Sequence, residues 1–83
     1  MKCFVYKGAR QPDTYLFVER ARDFSRVPKS LLALMGSLNN VLKLELTPDL
    51  TLVRSQPKEI MRQLKDQGFY LQLPDRIGRI GNN

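Results

Sequence analysis

Four basic side chains lie within ten residues of the chain and form its clearest candidate binding surface. They are Arg20, Arg22, Arg26 and Lys29. A cluster of this kind is typical of a contact with an anion: RNA, a DNA phosphate or an acidic protein partner. Ser25 could cap a following helix, whose first main-chain amides would add donors for that anion. The alternative is a solvated basic loop in which Arg26 is paired with Asp23 or with a buried carbonyl.

Other side chains that could do chemistry are sparse. The acidic residues considered as a metal site are Asp13, Glu19, Asp23, Asp49 and Asp75. Their spacing is not diagnostic, and Asp is favoured in turns for backbone reasons, so we predict neither a metal nor a cofactor site. Cys3 follows Lys2, whose charge could activate the thiol. A cysteine in a strand is more often a small buried hydrophobe, and we predict burial.

Composition narrows the classes of function. The chain has 83 residues, a net charge of +6, one cysteine and no histidine. Histidine-dependent nucleophilic catalysis and a disulfide within the chain are therefore excluded. Glycine-rich phosphate-binding motifs are also absent from the sequence. We favour a non-enzymatic function and keep a carboxylate-dependent hydrolase only as a remote alternative.

Two neighbouring segments are typical of β-strands. Residues 2–7 and 14–19 are rich in β-formers and flank a turn that contains Gly8 and Pro12. Their apolar residues are consecutive, which indicates strands that are covered on both faces. The strand aromatics Tyr15, Phe17, Phe69 and Tyr70 could stack on RNA bases if they were exposed, but we predict that they lie in the core.

The remaining pattern predicts two helices and further strands. The helices are expected at residues 28–35 and 57–67, and Gly36 and Gly68 follow them. Residues 41–46 alternate in polarity, as an edge strand does, while residues 51–53 and 69–73 are expected to form two short strands. The order is ββαββαβ, and the short connections favour a mainly antiparallel sheet. We predict an α/β (α+β) fold in one domain, residues 1–74, followed by a mobile tail, residues 75–83.

Three sequence runs resemble the YcgL-domain family, whose members are small bacterial proteins without an established activity. They are YLFV at residues 15–18, DFSRVP at 23–28 and QGFYLQLP at 67–74. The resemblance implies an α/β/α sandwich, in agreement with the two covered faces expected for the strands. It supplies no catalytic or cofactor residue. After Pro74 the chain departs from the family pattern, so the resemblance implies nothing about the tail.

These observations lead to one functional prediction and one alternative. We expect an interaction or accessory protein of the cytoplasm, since the chain shows no export signal or membrane span and has a single thiol. Its partner would be an unidentified protein, contacted through residues 20–29. The alternative is RNA binding through the same residues. The sequence leaves the oligomeric state open.

Overall fold

The computed structural model describes residues 1–50 and 56–74 of the chain. Within this part, two strands are followed by a helix, a strand, a second helix and a last strand. The elements are β1 (Lys2–Gly8), β2 (Tyr15–Val18), α1 (Lys29–Met35), β3 (Leu38–Glu45), α2 (Pro57–Gln67) and β4 (Tyr70–Gln72). Neither helix in these two stretches has the length and apolar character needed to cross a bilayer.

The four described strands form one antiparallel sheet in the order β3-β1-β2-β4. The hairpin strands β1 and β2 therefore occupy its centre, with Val5 opposite Phe17. The mainly antiparallel sheet expected from the short connections is confirmed. The additional strand predicted at residues 51–53 and the tail predicted at residues 75–83 lie outside the described residues.

Apolar residues cover both faces of this sheet. On one face, Ile60 and Leu64 of α2 pack with residues of β1 and β2. On the other face, Met35 of α1 packs with Tyr6 and Leu16. The consecutive apolar residues of β1 and β2 thus point alternately into two separate cores. This confirms the predicted α/β/α sandwich, with one helix on each side.

The helix boundaries follow local signals at three of the four ends. Pro57 begins α2, and Gly68 ends it with a φ of 89° and an N–H donated to the carbonyls of Gln63 and Leu64. Gly36 likewise follows α1. The expected cap by Ser25 was wrong, because Pro28 occupies the N-cap position and no side chain caps that helix.

Strand β3 lies at the sheet edge, as its alternating polarity predicted. It begins at Leu38, three residues before the predicted start, because its first residues pair with the end of β1 across a register shift. At that shift the amide of Asn40 donates to the carbonyls of Val5 and Leu42, at 3.1 and 3.2 Å. Val41 is the extra residue of this bulge. The bulge lets a longer strand pair with β1 than the alternation alone indicated.

Candidate binding pocket

The basic segment, residues 20–29, follows β2 and leads into α1, and the second core holds it in place. The hydroxyl of Tyr6 accepts a hydrogen bond from the main-chain N–H of Arg22 at 2.6 Å. The ring of Phe24 meets the ring of Tyr6 edge-on, with centroids 4.9 Å apart. Val27 is buried in the same core. Three side chains thus attach this segment to the sheet, although most of its polar groups face water.

A surface pocket of about 280 Å³ opens beside the basic segment. It is lined by acidic and basic side chains and by the glycine that ends α2. The lining residues are Glu19, Arg20, Asp23, Ser25, Arg26 and Gly68. Two of the four predicted contact residues, Arg20 and Arg26, therefore share one pocket. Arg22 and Lys29 are exposed and do not line it.

Arg26 is oriented by the end of α2. Its Nη2 donates a hydrogen bond to the main-chain carbonyl of Asp66 at 3.1 Å. Its side chain also lies directly over Gly68, where an added Cβ would come within 2.5 Å of Cδ and Nε. A carbonyl partner was considered for Arg26 from the sequence, and one is present forty residues further along the chain, but this bond is exposed and not buried as expected. The bond leaves the other guanidinium nitrogens of Arg26 available to a ligand.

Asp23 has a local partner in the same turn. Its Oδ1 accepts hydrogen bonds from the main-chain N–H and the hydroxyl of Ser25, at 3.1 and 2.7 Å. These two bonds hold the pKa of the Asp23 carboxyl below its usual range. Asp23 is therefore charged at neutral pH, and one of its oxygens is already occupied.

Arg22 has a backbone conformation that suits glycine. Its φ is 59°, in the left-handed region that L-residues rarely adopt. We expect Arg22→Gly to keep or raise the free energy of unfolding, by up to about 1 kcal/mol, because glycine enters this region without steric cost. Urea denaturation followed by circular dichroism measures the change.

The control for Arg22→Gly is Arg22→Val at the same position. Both variants remove the guanidinium group, but a β-branched residue is disfavoured at this φ, so the valine variant should be the less stable of the two. Equal stability of the two variants would contradict a left-handed Arg22.

Cys3 is buried, as predicted, with 1% of its surface exposed. Burial away from water raises the pKa of its thiol to about 11. At pH 8 only about one thiol in a thousand is then ionised, and the thiolate is the reactive form. We expect a disulfide reagent such as Ellman's reagent to label the folded protein at least about 100-fold more slowly than the unfolded protein.

The labelling experiment has an internal control in denaturant. Full and rapid labelling in guanidinium chloride shows that the thiol is intact. Rapid stoichiometric labelling of the folded protein at pH 8 would show that Cys3 is accessible and ionised, against the structure.

Of the four aromatic residues predicted to lie in the core, Phe17 is buried, whereas Tyr15, Phe69 and Tyr70 are partly buried. Phe17 is 5% exposed, and its ring meets that of Tyr70 edge-on with centroids 5.4 Å apart. Tyr15 and Phe69 pack against the two cores from partly buried positions. These rings are thus unavailable as an open platform for stacking bases. Among residues 1–50 and 56–74, no group of three or more acidic or cysteine side chains is arranged to hold a metal ion.

The comparison with known proteins identifies the family. The family model for the YcgL domain matches residues 3–75. The chain belongs to the YcgL domain family. This YcgL domain is 39% identical over 79 residues to a YcgL domain-containing protein of Thioalkalivibrio sulfidiphilus, covering 95% of this chain and 98% of that protein. It is 46% identical over 74 residues to one from Aeromonas hydrophila, covering 89% of this chain and 80% of that protein.

One relative is a much longer protein. A putative HAD-like hydrolase of Nitrosococcus oceani is 42% identical over 74 residues, which are 89% of this chain. The matched YcgL domain spans only 20% of that protein. The same domain is therefore found both as most of a small protein and as a minor part of a large one.

Sequence reasoning missed two contributors to the pocket. Glu19 precedes the basic segment, and Gly68 comes from the far end of α2. Glu19 is adjacent to Arg20, so the distribution of charged residues along the sequence could have indicated that it belongs to the same site. Gly68 was recognised only as a helix end, and no local signal indicated that Arg26 would lie across it.

Proposed function

We propose that this YcgL domain is a non-enzymatic interaction module that contacts an anionic partner protein through its basic segment. The observation that carries the proposal is that Arg20 and Arg26 line one pocket while Arg22 and Lys29 are exposed on the same segment. Arginine is well suited to this role, because its planar donors bind carboxylates in a fixed geometry.

The chemistry of the pocket supports binding rather than catalysis. A general base near neutral pH is usually a histidine, and the chain has none. The pocket carboxylate of Asp23 is held in its charged form by Ser25, which suits a structural role more than proton transfer. We place this role in the bacterial cytoplasm, where the lone thiol of Cys3 stays reduced.

The setting of the pocket fits a protein partner. The pocket opens at the surface and has a volume of about 280 Å³. It can hold one side chain of a partner, while the exposed cations around it contact the partner's surface. Interfaces of this kind use a few anchored side chains inside a wider polar contact.

RNA binding through the same basic segment is the alternative. Its support is the net charge of +6 and the four clustered cations. Against it, Glu19 and Asp23 line the pocket, and a phosphodiester group has no hydrogen-bond donor with which to satisfy these carboxylates. Phe17 is buried and the other strand aromatics are partly buried against the two cores, which leaves little ring surface for stacking on single-stranded bases.

Affinity capture with matched charge variants tests the proposal. The contact variant is Arg20→Gln with Lys29→Gln, and the control is Lys58→Gln with Lys65→Gln on the outer side of α2. All four side chains are exposed, and both variants lose two positive charges. We expect proteins retained from a bacterial lysate by the wild type and by the control to be released by the contact variant, with or without nuclease treatment.

Two results would count against this function. Identical sets of retained proteins for the contact variant and the wild type would show that the basic segment is not the contact. Loss of the retained proteins after nuclease treatment would indicate that the basic segment binds RNA and that the proteins were held through that RNA.

A further inference from the structure

The pocket contains both basic and acidic side chains that can still form hydrogen bonds with a ligand. In the described part of the chain, the side chains of Arg20 and Glu19 have neither a hydrogen bond nor an ion pair, whereas Asp23 is bonded to Ser25 and is stabilised by the charge of Arg20. One guanidinium nitrogen of Arg26 already donates a hydrogen bond to the carbonyl of Asp66. The groups left for a ligand are therefore two guanidinium groups, which donate, and the carboxylate of Glu19 and second oxygen of Asp23, which accept.

This combination discriminates between kinds of anion. A phosphodiester has acceptors and a negative charge but no hydrogen-bond donor, so it satisfies the arginines and is repelled by Glu19. A polypeptide segment with an acidic side chain carries a carboxylate and, a few bonds away, main-chain N–H groups. It can satisfy the arginines and Glu19 at the same time.

The geometry of Arg26 adds to this selectivity. The bond to the Asp66 carbonyl and the packing over Gly68 hold its side chain across the end of α2 before any ligand arrives. An arginine already held in place loses less conformational entropy on binding a carboxylate. Arg20 lines the same pocket and can bind the same carboxylate.

We propose that the pocket binds one aspartate or glutamate side chain of a partner polypeptide. Arg20 and Arg26 bind its carboxylate, and Glu19 accepts a hydrogen bond from a main-chain N–H of the same segment. The proposal rests on the proposed function, since it uses the same basic segment, and it adds the chemistry of the bound group.

Nuclear magnetic resonance titration of the 83-residue chain tests this directly. The probes are acetyl-Gly-Glu-Gly-amide, the matched acetyl-Gly-Gln-Gly-amide and a hexauridylate. We expect the Glu peptide to saturate the protein, with shifts at the amide of Gly68 and at the Nε–H groups of Arg20 and Arg26. The Gln peptide should bind at least about 10-fold more weakly because it lacks the carboxylate. The hexauridylate should bind at least about 10-fold more weakly because no main-chain N–H lies beside its phosphates to bond to Glu19.

The variants Glu19→Gln and Glu19→Ala test the role of Glu19. Both remove the negative charge, which should strengthen the binding of any anion that is held by charge alone. Glu19→Gln keeps an acceptor oxygen and Glu19→Ala does not, so if Glu19 accepts an N–H from the peptide, Glu19→Ala binds the Glu peptide about 2- to 10-fold more weakly than Glu19→Gln. Asp13→Asn is the matched control, since it removes one exposed carboxylate outside the pocket and should leave the affinity unchanged or slightly higher.

The outcomes separate this inference from the function on which it rests. Equal affinity of Glu19→Ala and Glu19→Gln for the Glu peptide, or tighter binding of hexauridylate than of the Glu peptide, overturns the acidic side chain as ligand and leaves an anion contact in place. If neither anionic probe shifts the resonances of the pocket, the inference fails, and retention of partner proteins by the basic segment is then judged by the capture experiment alone.

Discussion

Replacing Ile60 or Met35 by alanine is expected to lower the free energy of unfolding by about 2–5 kcal/mol in each case. Both side chains are 0% exposed, and they belong to different cores. Ile60 of α2 packs against one face of the sheet and Met35 of α1 against the other. Each truncation leaves a cavity that the surrounding residues fill only in part. Urea denaturation followed by circular dichroism measures both values.

Leu34→Ala is the matched control for these truncations. Leu34 precedes Met35 in α1 but is 57% exposed, so its loss should change stability by about 0.5 kcal/mol or less. If an alanine variant fails to fold, Ile60→Val should cost about 0.5–1.5 kcal/mol and Met35→Leu less than about 1.5 kcal/mol. Should only one of the two positions prove costly, the sheet would be covered on one face alone.

Gly8→Ala is expected to lower the free energy of unfolding by about 1–3 kcal/mol, because β1 and the end of α1 leave no room for a methyl group. A Cβ at Gly8 would lie 2.5 Å from the main-chain oxygen of Met35 and 2.8 Å from its Cβ. The end of β1 and the end of α1 cannot separate easily, because two main-chain hydrogen bonds join them. The N–H of Arg10 donates to that oxygen at 2.9 Å, and the N–H of Ala9 donates to the carbonyl of Ser37 at 2.8 Å.

The control for this steric effect is Ala9→Ser, one residue further along the chain. Ala9 is exposed, so the extra hydroxyl should change stability by about 0.5 kcal/mol or less. Thermal or urea unfolding of both variants gives the comparison. A Gly8→Ala protein as stable as the wild type would mean that the end of β1 does not pack against α1.

Local patterns predicted the elements of this domain well. The bounds of α2, residues 57–67, were predicted in full, because Pro57 and Gly68 mark its ends through backbone chemistry that needs no distant partner. The run of apolar residues in β1 and β2 indicated burial on both faces, and two cores are present. Ser25 misled the prediction, because its side chain can bond either to a helix end or to a neighbouring carboxylate, and here it bonds to Asp23.

The candidate site was only half predictable. Charge clustering pointed to Arg20 and Arg26, but it weighted Arg22 and Lys29 equally, and these do not line the pocket. Strand β3 shows the same limit, since its first residues carry no alternating pattern and pair with β1 only through the bulge at Val41. Contacts of this kind depend on the register between strands distant in sequence.

The sequence by itself determined the α/β class, the burial of β1 and β2 on two faces, and the absence of histidine chemistry. These follow from periodicity, turn residues and composition, which are properties of neighbouring residues or of the whole chain. Only the tertiary structure brought Gly68 and the Asp66 carbonyl against Arg26, and so gave one arginine of the basic segment a fixed orientation. That contact spans forty residues, and its geometry depends on how α2 and the segment after β2 meet at the edge of the sheet.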